Sequence, residues 1–139
     1  MAESIRAVMT TDPQTIDASD TLVDAAKAMK DRDVGALIVT EQGTVTGIVT
    51  DRDIVVRGIA EEADPTTARV GDIATQELTA LSPDDSVEDA IRAMRDQDVR
   101  RLPVVEDGNA VGIVSLGDLA VDRDPESVLA DISAAPPQE

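Results

Sequence analysis

The chain has 139 residues, 42% of them hydrophobic, no cysteine, histidine or aromatic residue, and a formal net charge of −17. That composition excludes disulfides and thiol chemistry, leaves a zinc site only carboxylates, which structural zinc rarely accepts, and removes the basic surface and stacking rings that nucleic-acid partners need. No apolar run is long enough to span a membrane and no basic-then-apolar signal segment opens the chain, so one soluble domain in the cytoplasm is expected.

The first predicted element is a short strand around Gln14-Thr15-Ile16. Leu22, Ala25, Ala26 and Met29 then recur at helical spacing, and Thr21 ahead of them is a natural N-cap. The apolar run Ala36-Leu37-Ile38-Val39, the turn Glu41-Gln42-Gly43-Thr44 and the β-rich Val45-Thr46-Gly47-Ile48-Val49 predict a hairpin. A second helix begins at Asp51, with Ile54, Val55, Val56 and Ile59 apolar, and residues 60–69 read as a polar linker.

The same order then returns. Thr79-Ala80-Leu81 predicts a leading strand, and Val87, Ala90, Ile91 and Met94 a helix capped by Ser86. Leu102-Pro103-Val104-Val105, the turn Glu106-Asp107-Gly108-Asn109 and Ala110-Val111-Gly112-Ile113-Val114 predict a second hairpin, followed by a helix from Leu116 with Leu119 and Val121 apolar. Past Asp124, Pro125 at a helix-start position and Val128, Leu129 and Ile132 allow one or two turns before Pro136-Pro137, and this end is expected to fray.

Gly47-Ile48-Val49-Thr50-Asp51-Arg52-Asp53 reappears as Gly112-Ile113-Val114-Ser115-Leu116-Gly117-Asp118, 65 residues later and without an insertion. The same offset pairs Asp24/Ala25 with Asp89/Ala90, Ala28/Met29 with Ala93/Met94 and Asp33/Val34 with Asp98/Val99. The prediction is an α/β (α+β) fold of tandem β-α-β-β-α repeats with pseudo-twofold symmetry: residues 1–62 with a leading helix, residues 63–123, and a tail over 124–139. Each repeat is too small for a comfortable core alone, so the two are expected to pack as one domain.

The doubled Gly-aliphatic-aliphatic-Ser/Thr-x-x-Asp motif sits at a strand-to-helix junction in each copy. A strand glycine lets a ligand or a neighbouring backbone come close, and a hydroxyl beside helix N-terminal amides offers donors to a phosphate or sugar oxygen. A carboxylate one turn on can accept two hydroxyl hydrogen bonds from a ribose. The alternative is structural: Thr50 and Ser115 as N-caps, Asp53 and Asp118 as first-turn acids favoured by the helix dipole.

Through these and neighbouring residues the chain resembles the paired cystathionine-β-synthase (CBS) domain module, also called the Bateman module, over nearly its whole length. The resemblance is carried by Val8-Met9-Thr10, Asp33-Val34-Gly35-Ala36-Leu37, the stretch from Gly47 to Asp53, Val99-Arg100-Arg101-Leu102-Pro103-Val104-Val105 and the stretch from Gly112 to Asp118. Gly35-Ala36-Leu37 and Thr50-Asp51-Arg52-Asp53-Ile54-Val55 are similar to stand-alone two-repeat proteins such as bacterial hypoxic-response proteins. Some of those carry metal-ligating Cys and His, which this chain lacks, so no metal residue transfers.

The resemblance implies a regulatory, energy-sensing module that binds an adenosine-containing ligand, AMP, ADP, ATP or S-adenosylmethionine, in clefts between the repeats, with the adenine nucleotides expected here. It nominates Thr50 and Asp53 as ribose ligands in one cleft, with Thr15 and Ile16 as the adenine wall, and Ser115 and Asp118 with Ala80 and Leu81 in the other. It also implies that Arg100 and Arg101 face the phosphates of the ligand held by Asp53. Their first-repeat counterparts, Gly35 and Ala36, carry no charge, so the Asp53 cleft is expected to take the phosphorylated ligand, with magnesium accompanying ATP. Arg52 is a further phosphate contact or an intrahelical ion-pair partner.

The function expected is therefore a non-catalytic adenine-nucleotide sensor. A homodimer is expected, formed through the helices over 22–29, 87–94 and 54–59, with an unidentified protein receiving the signal. A ligand-free structural dimerisation protein is the alternative. An enzyme has no evident nucleophile or base here. The acid excess reads as a solubilising surface or an adaptation to high salt, with an acidic docking surface as its rival.

Overall fold

The computed structural model describes residues 4–76 and 79–123, so the predicted tail over 124–139 lies outside the described residues. Two compact units emerge, one within Pro13–Leu78 and the other within Met1–Asp12 together with Thr79–Glu139.

In the Pro13–Leu78 unit, β1 (Thr15–Asp17), α1 (Leu22–Arg32), β2 (Ala36–Glu41) and β3 (Thr44–Thr50) follow the predicted order. Strand β2 is central, parallel to β1 and antiparallel to β3. Helix α1 starts where Thr21 and Asp24 form a reciprocal capping box: the Asp24 N–H donates to the Thr21 hydroxyl at 3.2 Å and the Thr21 N–H to the Asp24 carboxylate at 3.0 Å. It ends at Asp33, which takes a left-handed φ of 54°. Its apolar stripe is narrower than predicted. Leu22, Ala25 and Met29 are buried, whereas Ala26 is exposed.

The β2–β3 turn needs positive φ at both central residues, 53° at Gln42 and 82° at Gly43, a combination that matches the twist of an antiparallel ribbon. After β3 the chain turns directly into α2 (Asp51–Asp53), which continues as a π-helical turn over Ile54–Ile59 rather than the predicted α-helix. The segment 60–69 does more than link. The carbonyls of Pro65 and Ala68 accept the Val23 and Leu22 N–H groups of the first turn of α1, and the chain then enters α3 (Val70–Ile73). Val70, Ile73 and Ala74 join Ile16, Leu22, Ala25, Met29, Leu37, Val39 and Val49 in one core.

The second unit repeats the plan with α4 (Val87–Gln97), β4 (Arg101–Glu106), β5 (Asn109–Ser115) and α5 (Leu116–Arg123). Ser86 and Asp89 form the matching capping box, Asp98 ends α4 at φ 54°, and Asp107 and Gly108 turn the hairpin at φ 55° and 82°. Even the ladder irregularity recurs, between Val39 and Thr40 in one hairpin and between Val104 and Val105 in the other.

One predicted strand contracts. Instead of a leading strand at Thr79-Ala80-Leu81 there is a single parallel bridge, Leu81 to Val104. The reason is chemical. Around β1 the flanking rungs are donated by the N–H groups of Ile38 and Ala18, and the matching positions in the second copy are Pro103 and Pro83, which have no N–H.

The lead-in segments are exchanged between copies. Thr10, ahead of the first repeat, bridges Ile113 of β5, and Thr75, its counterpart 65 residues on, bridges Ile48 of β3. The predicted leading helix is a single 3-10 turn, Ile5–Ala7, whose Ile5 and Arg6 N–H groups donate to the carbonyls of Asp85 and Pro83. Arg6 also reaches Asp84 at 3.4 Å and Glu106 at 3.2 Å.

Candidate functional site

Topology gathers the nominated residues within each unit. In the first, Thr15 opens β1, Ala36 opens β2 opposite Thr50, and Thr50 closes β3, so all three lie at one end of the sheet. The Asp51 N–H donates to the Gly35 carbonyl at 3.0 Å, which ties the helix start to that end. In the second unit, Arg101 pairs with Ser115, and the Leu116 N–H donates to the Arg100 carbonyl at 2.8 Å. The arginines therefore stand at the Ser115/Asp118 end of their own sheet. Both are exposed, and among the described residues neither guanidinium makes a hydrogen bond or ion pair.

The motif residues hold each other. The Asp53 N–H donates to the Thr50 hydroxyl at 3.1 Å and the Thr50 N–H to an Asp53 carboxylate oxygen at 2.9 Å; Ser115 and Asp118 repeat the pair at 3.1 and 2.9 Å. Such a box satisfies two orphan helix donors, so the capping role is real in both copies. It leaves a ligand one carboxylate oxygen and one hydroxyl proton per copy, on half-buried side chains.

Each motif glycine faces a neighbouring segment of the chain at close range. A Cβ at Gly47 would run into the Thr75 carbonyl, and one at Gly112 would lie 2.5 Å from the Met9 sulfur and 3.0 Å from the Thr10 carbonyl. These are the lead-in segments bridged to Ile48 and Ile113, each by two bonds of 2.8–3.0 Å. Sequence reading missed Thr10 and Thr75 as the groups that require the glycines. The repeat offset, which equates them, was the signal that could have found them.

Of the nominated adenine walls, the Ile16 and Leu81 side chains are buried at 8% and 3% exposure, so they belong to the cores; Thr15 is exposed and Ala80 half-buried. Arg52 is exposed, and its N–H donates to the Asp51 carboxylate at 2.8 Å. Among the described residues no group of three His, Cys, Asp or Glu could hold a metal ion.

The family model described as CBS domain matches residues 5–58 and again 70–121. The chain belongs to the CBS domain family. Its two CBS domains are 43% identical over 120 residues to the CBS domain-containing protein YhcV of Bacillus subtilis, covering 86% of this chain and 85% of that one. Among solved structures, a hypoxic response protein with two coordinated zinc ions superposes with a TM-score of 0.77 at 33% identity, over 84% of this chain and 96% of that one. A hexameric CBS-CP12 protein from bloom-forming cyanobacteria gives 0.78 at 30% identity, over 95% and 76%. The resemblance read from the sequence and the α+β fold of tandem CBS repeats are thus shown. Zinc is a property of the hypoxic response protein; this chain has no cysteine or histidine with which to hold it.

Proposed function

We propose that this CBS pair is a non-catalytic regulatory module that binds an adenosine-containing nucleotide, AMP, ADP or ATP. The observation that carries the reading is the doubled Ser/Thr–Asp pair at matching sheet ends, each keeping one carboxylate oxygen and one hydroxyl proton outside its capping box. A carboxylate oxygen and a hydroxyl at that spacing suit a ribose diol. Asp53 and Thr50 hold the ribose, the Thr15-Ile16 backbone lies against the adenine, and Arg100 and Arg101 supply charge to the phosphates, with magnesium when the ligand is ATP. Ser115, Asp118, Ala80 and Leu81 form the second site.

The test is thermal unfolding with AMP, ADP, ATP, adenosine and guanine nucleotides, since a ligand bound only by the folded chain stabilises it by mass action. Adenine nucleotides are expected to raise the melting temperature, and guanine nucleotides to raise it less. With no aromatic residue, purified protein free of nucleic acid that absorbs at 260 nm has carried a nucleotide with it. A flat response to every adenosine compound overturns the reading.

A second reading, a structural dimerisation protein without ligand, is favoured by one observation. Val55 and Ile59 on the π-helical turn are 59% and 51% exposed, the largest exposures of big apolar side chains among the described residues, with Val56 beside them at 43%. We place a homodimer contact there and along α1 and α4. The Val55→Glu variant is expected to lower the mass measured by light scattering at micromolar concentration while the circular dichroism spectrum stays that of a folded chain; an unchanged mass overturns that contact.

A further inference from the structure

Strand β1 sits on β2 through the register Thr15–Ile38, Ile16–Val39 and Asp17–Thr40, flanked by the Ile38 N–H to the Gln14 carbonyl at 2.9 Å and the Ala18 N–H to the Thr40 carbonyl at 2.8 Å. In the other unit the two central rungs survive: the Leu81 N–H donates to the Pro103 carbonyl at 2.9 Å, and the Val105 N–H to the Leu81 carbonyl at 2.8 Å. The two flanking rungs have no donor, because Pro103 stands where Ile38 does and Pro83 where Ala18 does. Among the described residues the further polar tie on the segment is a half-buried side chain, Gln97, whose amide oxygen accepts the Thr79 N–H at 2.8 Å. Apolar anchoring does not separate the two cases, since Leu81 is as buried as Ile16. The ladder does.

We propose that the segment 79–81 is a detachable strand, which leaves β4 while the rest of its unit stays folded, whereas β1 stays fastened. Its second half rests on the nucleotide reading: Ala80 and Leu81 belong to the Ser115/Asp118 end, so a ligand there must first fasten the strand, and that end binds more weakly than the one beside β1. The two prolines thus rank the two ends of a duplicated fold.

Amide hydrogen exchange on the full, ligand-free chain tests the first half. Leu81 and Val105 are expected to exchange about tenfold to a hundredfold faster than the matched amides of Ile16 and Thr40, while the β4–β5 hairpin stays protected. Equal rates overturn the proposal. The double variant Pro83→Ala with Pro103→Ile restores both donors and is expected to slow Leu81 and Val105 to the level of Ile16 and Thr40. Should that variant fail to fold, Ile38→Pro decides: it removes the same donor beside β1 in a backbone that tolerates proline in the other copy, and it is expected to speed Ile16 and Thr40.

AMP calorimetry tests the second half. In an Asp53→Ala background, restoring the donors is expected to tighten AMP at least about fivefold. AMP that binds the parent chain but gains nothing from the restored donors overturns this half. AMP that binds no variant overturns the nucleotide reading instead and leaves the strand to the exchange data.

Discussion

The two units carry the same capping boxes, the same two-residue turns and the same ladder irregularity, yet their sheet ends differ. One has a paired leading strand, an uncharged Ala36 opposite Thr50 and a π-helical turn after the motif. The other has a single bridge, Arg101 opposite Ser115 and an α-helix. The caps that persist are held by side chain-to-backbone bonds within four residues, which any copy keeps while it keeps Ser/Thr and Asp at the right spacing, and the turns by the positive φ of their two central residues. The leading strand and the charge diverge because they depend on backbone donors and side chains supplied from elsewhere in the chain, which Pro83, Pro103 and Arg101 change.

The largest expected effect separates the two motif glycines. Gly47→Ala drives a methyl into the Thr75 carbonyl, a backbone atom that can retreat only by breaking the bridge to Ile48; a loss of about 3 kcal/mol or more is expected. Gly112→Ala meets the Met9 side chain first, its sulfur at 2.5 Å, and the Thr10 carbonyl only at 3.0 Å; because the Met9 side chain can rotate away, a smaller cost of about 1–2 kcal/mol is expected. Urea midpoints of the two variants measure the difference. Equal losses would mean that the lead-in segments yield alike, and that the comparison fails at its firmest point.

The next effect concerns ligand. Asp53→Ala is expected to weaken AMP binding about 10- to 100-fold, because it removes charge-assisted bonds to a ribose of roughly 1.5–3 kcal/mol, while Asp118→Ala matters much less. Arg101→Ala is expected to weaken AMP but hardly adenosine, since a phosphate contact is what it removes. The arginines stand at the Ser115/Asp118 end of their own sheet, which sharpens the test. If calorimetry finds binding lost in Asp118→Ala and intact in Asp53→Ala, the charge serves its own unit and the ranking of the two sites reverses.

Much of this was legible in the chain. The helices around Leu22 and Val87, both hairpins and both caps follow from local spacing and turn chemistry, and the exact 65-residue repeat carried the family. The exchange of lead-in segments was not legible, because the partners of Thr10 and Thr75 lie more than 100 and nearly 30 residues away, and periodicity says nothing about which copy a short segment joins. The sequence alone consequently leaves the motif glycines open to a ligand or to a neighbouring backbone. The shortened strand at 79–81 was readable in principle, from Pro83 and Pro103, but only once the direction of each strand's N–H groups was known.

The smallest expected effect is one on which the units should agree. Asp24 and Asp89 are held below the usual carboxylate range, first by the backbone N–H of Thr21 or Ser86, then by the hydroxyl of the same residue, and least by Lys27 or Arg92. A carboxylate whose pKa is depressed on folding contributes stability above its unfolded value, about 4, and loses that contribution as pH falls through the depressed value. Acid also relieves the repulsion of a chain with a net charge of −17, which acts in the opposite direction, so the measurement has to be a difference between variant and parent. Asp24→Asn and Asp89→Asn are each expected to narrow the loss of stability between about pH 5 and pH 2, followed by circular dichroism in urea, and to do so by similar amounts. Added salt should leave the narrowing nearly unchanged, because the first cause is a hydrogen bond within the capping box and the exposed Arg92–Asp89 pair at 3.5 Å contributes little. A narrowing in Asp89→Asn that disappears in salt, with none in Asp24→Asn, would assign the effect to Arg92 and make the second cap an ion pair rather than a copy of the first.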